Sequence, residues 1–395
     1  LRKILTISLG TDENSYTIAR SYHEATGEKI TVCGAGVLLP FYKTAIAEIH
    51  TDPNFSSDLE VFAALLNSVY RQHADSITDV MILAPTEEYL HTLYKSLDLL
   101  EFKPFLPYPE KELGRALMDK SFFYEKMAEF GVEIPRTYNA TPENFMELPL
   151  EGPQFIKAAN YELFNSYDFP EKHKGFHAQT PEAAREYLAA VYQSGFSGTM
   201  IVQTYINGDH TQEYSVNGYR SLRTGSCVFA HARSVLSDHR PMWVGNHLLL
   251  TDTNRPDLLE ICEKIVCELG YEGFFNIDFK VDAISGVPYV LEMNTRLGRS
   301  FYYANLNGVN FIDVALRDLA EQEPPTITRR PFNWITATRE AVAEQLEGAS
   351  LEYFTEEPRY SNTGNALDYS FDNNPLRTMR IARHRKNLAK TLWES

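Results

Sequence analysis

The segment that most restricts the fold is FFNIDFKVDAISGVPYVLEMNTR, residues 274–296. Two apolar runs flank a turn-forming stretch, DAISG, so the segment reads as an antiparallel hairpin. Side chains two apart on a strand share a face. Asn276, Asp278 and Lys280 therefore lie on one face, with Phe275, Ile277, Phe279 and Val281 on the other. On the second run Glu292 and Asn294 point the same way while Met293 enters the core, and Arg296 and Arg299 follow directly. Pairing across the turn sets Asp278 opposite or diagonal to Glu292.

Two carboxylates at that range repel unless a cation lies between them. The oxygen-rich set Asp278, Glu292 and Asn294 suits Mg2+, which takes a few protein oxygens and keeps its other positions for water and phosphate. Arg296 can then hold a phosphate oxygen with two N–H groups. The competing reading is a solvated strand face with Glu292 paired to Arg296.

The rest of the chain divides by pattern. KILTISLG, a helical stretch, KITVCGAG and DVMILAP alternate strand and helix over 1–115, which predicts a doubly wound α/β domain. Asn14 or Ser15 is expected to cap the first helix, and Gly27 to end it. RALMDKSFFYEKMAEFG reads as one amphipathic helix opening a unit over 116–200. That unit contains the strand GPQFIKAAN and the helix TPEAAREYLAAVYQSG, with Thr180 as its cap. A third block, 201–325, holds the hairpin, and 326–395 is a mixed C-terminal segment.

Composition narrows the function. A net charge of −16 argues against a nucleic-acid partner, since phosphate backbones select basic surfaces. Cys33, Cys227, Cys262 and Cys267 have no metal-type spacing and read as reduced thiols. With no secretory pattern and no apolar run of membrane-spanning length, a cytoplasmic enzyme or binding protein is expected.

NIDFKVDAISGVPYVLEMNTRLG closely resembles the metal-binding end of ATP-grasp enzymes, and the other elements of that superfamily follow in order. The resemblance implies an α/β fold (α+β ATP-grasp). A doubly wound pre-ATP-grasp domain (1–115) would precede a two-lobed ATP-grasp domain: a small lobe (116–200), then a metal and substrate lobe (201–325). It implies ATP and Mg2+ as cofactors, with Asp278, Glu292 and Asn294 on the metal and Arg296 on the transferred phosphoryl group. MDKSFFYEKMAEFGVEIPRT and PQFIKAAN supply Lys120 and Lys157 for the phosphates. MIVQTYINGD looks like the hinge, where Gln203, Tyr205 and Ile206 meet adenine and Asp209 or Glu213 meets ribose. Two departures stand out: Ala158 follows Lys157 where many members have Pro, and the phosphate-covering loop reads YELFNSYDFPEKHKGF, with Lys172 and Lys174 in place of a Gly- and Ser-rich run.

The opening LGTDENSYTIARSYHEATGEKI is similar to the D-aspartate ligase group of carboxylate–amine ligases, which act on peptidoglycan precursors. That implies an ATP-dependent, ADP-forming carbon–nitrogen ligase joining an amino-acid carboxylate to an amine acceptor. Loop 160–175 is the expected lid. Arg233, His239, Arg240 and Arg299 are the candidate substrate cations, weighed evenly against ordinary surface charge, and Tyr302 and Tyr303 are read as packing residues. An amino-acid or dipeptide ligase outside wall synthesis shares every motif, and a non-catalytic nucleotide-binding regulator is the alternative from another class. The basic tail RTMRIARHRKNLAK either docks on the acidic body of the chain or meets an anionic membrane surface. Oligomeric state is not legible.

Overall fold

The computed structural model describes residues 2–170, 172–240, 243 and 245–393. Strands β1 (Ile4–Leu9), β2 (Ile30–Gly34), β3 (Ala47–Thr51) and β4 (Asp79–Leu83) form a parallel sheet in the order β3-β2-β1-β4. β2 is buried throughout, and β1 and β4 are buried beyond their first residues, as a parallel sheet covered on both faces requires. The connections run outward from β1 and then return past it. Right-handed crossovers thus place helices Glu13–Thr26 and Leu59–His73 on opposite faces. The first helix is capped by Asp12, two or three residues earlier than Asn14 or Ser15 would place it, with its carboxylate accepting from Ser15 N at 2.9 Å. Gly27 ends it in the left-handed region at φ 73°.

β5 (Thr137–Ala140), β6 (Gln154–Ala158), β7 (Gly175–Ala178) and β8 (Met200–Thr204) make an antiparallel sheet in the order β5-β8-β6-β7. Helix Pro181–Gln193 covers one face through Leu188 and Val191, which pack with Ile156 and Val202. Thr180 caps that helix as expected. The preceding stretch departs from expectation. It forms two helices, Lys111–Leu117 and Lys120–Glu129, separated at Met118–Asp119 because Asp119 caps the second through Ser121 N at 2.7 Å. The break puts Lys120 at a helix start, beside the cleft.

The large sheet contains β9 (Glu213–Arg220), β10 (Cys227–Ser237), β11 (His247–Asp252), β12 (Gly273–Val281), β13 (Pro288–Asn294), β14 (Asn333–Ile335) and β15 (Thr363–Gly364). Its order is β13-β12-β9-β10-β11-β14-β15. One face carries Val216, Ile277 and Phe279 against helix Pro256–Glu268. The other begins apolar at Tyr219 and Phe274, which share a core with Leu83 of the N-terminal sheet and with Tyr108, and turns polar at Asn276. At this junction Gly273 has φ 91°, and a Cβ there would stand 2.5 Å from the Pro107 backbone. Phe274 N donates to Pro107 O at 2.9 Å, so the close approach is a hydrogen-bonded one.

The C-terminal segment closes the molecule on itself. β14 and β15 extend the large sheet, and helix Pro375–Trp393 then returns to the N-terminal unit. Arg377, 1% exposed, donates to Pro40 O at 3.1 Å and Asp372 O at 2.9 Å. Its guanidinium also pairs with the Asp372 carboxylate at 3.2 Å and stands 4.5 Å from the Tyr16 ring centroid. Arg385 is tied to Asp368 and Ala337 O. Removing one partner of such a buried pair costs about 3–5 kcal/mol, whereas an exposed substitution is usually within about 0.5 kcal/mol. Denaturant melts should therefore show Arg377→Ala strongly destabilised and Arg383→Ala almost unchanged.

Candidate functional site

The hairpin pairs in the register its alternation requires. Asp278 lies directly opposite Glu292, and Asn276 opposite Asn294. After Asp278 the register slips, so Phe279 faces Val290 and Leu291 is the extra residue of a bulge. The bulge, which the sequence pattern did not reveal, turns the Leu291 carbonyl to Lys157 Nζ at 3.2 Å and to Tyr124 OH. Lys120 Nζ stands 2.6 Å from Glu292 Oε2. The expected competing pair, Glu292 with Arg296, does not form: Arg296 donates to Asn294 Oδ1 at 3.3 Å and Leu297 O at 3.1 Å.

The electrostatics follow from burial and from this register. The Lys120 ammonium holds the Glu292 carboxyl far below the usual carboxylate range against its burial, with help from Lys157 and Lys174. Burial, and then the facing Glu292, push Asp278 up to about 6, opposed by hydrogen bonds from Ser215 and Asn276. Burial pulls Lys120 down, but Glu292 and Tyr124 together more than reverse this. Lys157, buried beside Lys120, is lowered to about 7. Burial also lowers Lys174, which lies in the field of Glu292, Lys120 and Asp278. Two facing carboxylates with an amide oxygen alongside are a donor set that a hard divalent cation fits. A Mg2+ ion there would relieve the repulsion that adds to burial in raising Asp278.

Asn276, given no role by the sequence reading, organises this set. It is 3% exposed, and its Nδ2 donates to Ser215 Oγ at 2.9 Å and Asp278 Oδ1 at 3.2 Å. Its Oδ1 accepts from Asn294 Nδ2 at 2.8 Å, which fixes which end of the Asn294 amide is left to face a ligand. Asn217 on β9 accepts from Gly298 N at 2.7 Å and donates to Tyr303 OH at 3.0 Å. Tyr303, read as a packing residue, is therefore also a hydrogen-bonding support for the turn that carries Arg296 and Arg299. Glu87, another residue the sequence left unremarked, lines a cavity of about 40 Å³ with Lys120, Glu292 and Asn294.

Beside these groups lies a cavity of about 390 Å³ bordered by Lys157, Gln203, Tyr205, Ile206, Asp209 and Glu213. Those are six of the seven residues singled out for a nucleotide; the seventh, Lys120, lines the smaller cavity with Glu292 instead. His177 and Lys280 join the six: the His177 ring stacks on Tyr205 at 3.8 Å, and the Lys280 ammonium lies 4.8 Å from the same ring. Asp209 and Glu213 now differ. The Asp209 carboxylate is bonded to Thr211 Oγ1 at 2.6 Å and to its N–H at 2.8 Å, which holds its pKa down against burial. Glu213 makes no side-chain hydrogen bond to a described residue, and burial pushes it up to about 7 despite Lys280.

The cations expected for a substrate separate. Arg233 pairs in register with Tyr214, on the sheet face opposite Asp278, and its guanidinium lies 5.7 Å from the Tyr353 ring. Strand alternation thus places it on the face away from the carboxylates. Arg240 is held by Asp238 at 2.9 and 2.6 Å and rests over Trp243, so its fork is occupied. His239 is exposed, 5.5 Å from the His210 ring. Arg299 is exposed, has no hydrogen bond or ion pair among the described residues, and acts electrostatically on Lys174, Asp238 and Glu13. Of loop 160–175, all but Glu171 is described. Lys172 is bonded back to Asn165 O at 3.0 Å and Tyr167 O at 2.5 Å, which leaves Lys174 as the lysine of that loop within the electrostatic field of the carboxylates.

The fold is similar to that of ATP-grasp ligases. Residues 197–340 match the family described as ATP-grasp in the biosynthetic pathway with Ter operon. Over 328 residues the chain is 26% identical to the D-aspartate ligase of Enterococcus faecium (strain Aus0004), covering 82% of this chain and 78% of that one. Among solved structures it is similar to N5-carboxyaminoimidazole synthetase from Staphylococcus aureus complexed with ADP. The TM-score is 0.62 at 16% identity, with 84% of this chain and 82% of that one covered. It is also similar to L-amino acid ligase from Bacillus licheniformis, with a TM-score of 0.57 at 16% identity and 80% and 74% covered.

The Glu213 environment yields a pH-dependent prediction. A carboxyl raised from 4.5 to about 7 favours the protonated native state. Its contribution is intact below its ordinary pKa and is lost as pH rises through the folded value. Glu213→Gln should therefore melt at the wild-type temperature in mild acid and above it in alkaline buffer, in nucleotide-free protein. Equal melting curves across that range would show that the buried charge costs the fold nothing.

Proposed function

We propose that the chain is an ATP-dependent, ADP-forming carbon–nitrogen ligase that activates an amino-acid carboxylate and joins it to an amine. The observation that carries this reading is the directly opposed pair Asp278 and Glu292, with Asn294 alongside, Lys120 paired to Glu292 and Lys157 bordering the 390 Å³ cavity. In this reading the adenine lies against Gln203, Tyr205 and Ile206. Glu213, whose carboxylate is uncommitted, takes the ribose in preference to Asp209. Asp278, Glu292 and Asn294 would hold Mg2+, which when bound supplies positive charge to the ATP phosphates.

An amide does not form from a free carboxylate and an amine in water without activation. A carboxylate oxygen of the substrate attacks the γ-phosphorus of ATP, the bond to the β-phosphate oxygen breaks, and ADP departs. The acyl phosphate that results is attacked at carbon by the amine; the carbon–oxygen bond breaks, phosphate leaves, and the nitrogen loses a proton. Lys120, Lys157 and Arg296 offset charge on the phosphoryl group in flight. Arg296 Nε, buried without a partner among the described residues, is a donor available for that purpose. Lys174 and the 160–175 loop would cover the site and keep water from the acyl phosphate. Arg299, with its free guanidinium, is proposed for the substrate carboxylate.

The likeness to a D-aspartate ligase supports D-aspartate as the carboxylate, and the resemblance of the opening segment implies a peptidoglycan-precursor peptide as the acceptor. Phosphate release across a panel of D- and L-amino acids, with and without such a peptide and with products identified by mass, tests this. Release only with free amino-acid pairs would favour a dipeptide ligase, and no release with any pair a regulatory nucleotide-binding protein. In the responsive pair, Glu292→Gln should lower the rate by a factor of about a hundred or more. Its partner Lys120 borders solvent, with 24% and 36% exposure for the two side chains, so stability should change by only about 1 kcal/mol. Near-normal turnover in this variant would remove the metal-ligand role.

A further inference from the structure

Helix Pro375–Trp393 contains Arg377, Arg380, Arg383, Arg385, Lys386 and Lys390 and no acidic residue. At 3.6 residues per turn the helix divides into two opposite stripes. Arg377, Ile381 and Arg385 form the inner one, buried on the body of the protein. Leu376, Met379, Arg383, Lys386 and Lys390, spaced three and four apart, form the outer one, and every member is exposed. The docking contacts use none of these outer residues.

The outer stripe continues onto a neighbouring loop. Arg380 stands 4.0 Å from the ring centroid of Tyr42, and Lys43 5.8 Å from the same ring. Just before that loop's short helical turn, Val37 and Leu38 are 53% and 55% exposed, while Met379 is 62% and Leu376 45% exposed. Apolar side chains and cations thus share one corner of a molecule whose net charge is −16.

We propose that this corner is a docking surface for an anionic membrane. The cations face lipid phosphates and the four apolar side chains enter the headgroup boundary, so the protein lies on the bilayer without crossing it. No described helix is long and apolar enough to span one. A nucleic acid would engage the cations but leave Val37, Leu38, Leu376 and Met379 in water. An isologous contact with a second copy would set like charges against each other. The fold accounts for both halves of the tail's composition: the inner arginines are neutralised by Asp372 and Asp368, and the outer cations are left for a partner.

The test is sedimentation of the full chain with phosphatidylcholine vesicles containing increasing phosphatidylglycerol. Binding should rise with the anionic lipid and fall with salt. Arg383→Gln, Lys386→Gln and Lys390→Gln combined should weaken it roughly a hundredfold, at about fivefold per cation. Leu376→Ser with Met379→Ser should weaken it separately, and both variants should keep the wild-type melting temperature. No binding at low salt overturns the proposal, as does binding that the triple variant retains. Tighter binding to single-stranded DNA or polyglutamate than to vesicles would assign the surface to a different polyanion. Self-association lost in the triple variant would assign it to a second copy.

Discussion

The repulsion between Asp278 and Glu292 is the constraint on which the rest of the site depends. Directly opposed strand residues stand roughly 5 Å apart at Cβ, where two like charges repel by about 3 kcal/mol at an effective dielectric near 20. A chain selected for stability alone would put an apolar pair there, as it does one position away with Ile277 and Met293. The protein keeps the carboxylates and surrounds them with cations brought from other parts of the fold. Lys120 comes from the start of a helix, Lys157 from β6, and Lys174 from the turn before β7.

That arrangement explains several features that would otherwise look unrelated. The break at Asp119 frees Lys120 to reach Glu292. The bulge at Leu291 presents a carbonyl that holds Lys157 near the carboxylates before any phosphate arrives. The buried amides Asn276 and Asn217 fix the orientation of Asn294 and of the turn carrying Arg296 and Arg299. Lys120 is paired to Glu292 and Lys157 to a backbone carbonyl, so an arriving phosphate would take over contacts that the protein already makes.

Much of this was legible in the sequence, and for a physical reason. Strand alternation fixes which residues share a face, so the Asp278–Glu292 pairing and the core positions of Ile277 and Met293 could be read from spacing. The N-terminal parallel sheet was legible from its buried runs, and the helix at Thr180 from its cap. What escaped were features set by tertiary contact. The bulge depends on partners Lys157 and Tyr124, distant in sequence, and the role of Asn276 depends on which strand lies beside it. The face that Arg233 occupies follows from its pairing with Tyr214, which no local pattern encodes. The fates of Lys172 and Arg240 were hidden likewise, each being tied up by a hydrogen bond with a near neighbour. The similarity to ATP-grasp proteins came from the hairpin and the ordered lysines together, since neither lysine alone distinguishes a phosphate ligand from a surface residue.

The central claim is that Asp278 and Glu292 together create a cation site that ATP binding requires. Calorimetric titration of ATP with Mg2+ and with a chelator, in the wild-type chain and in Asp278→Asn, tests it most directly. The account predicts markedly tighter ATP binding with Mg2+ in the wild type and little difference between the two conditions in the variant. An affinity indifferent to the metal in the wild type, or an unchanged metal dependence in Asp278→Asn, would contradict it.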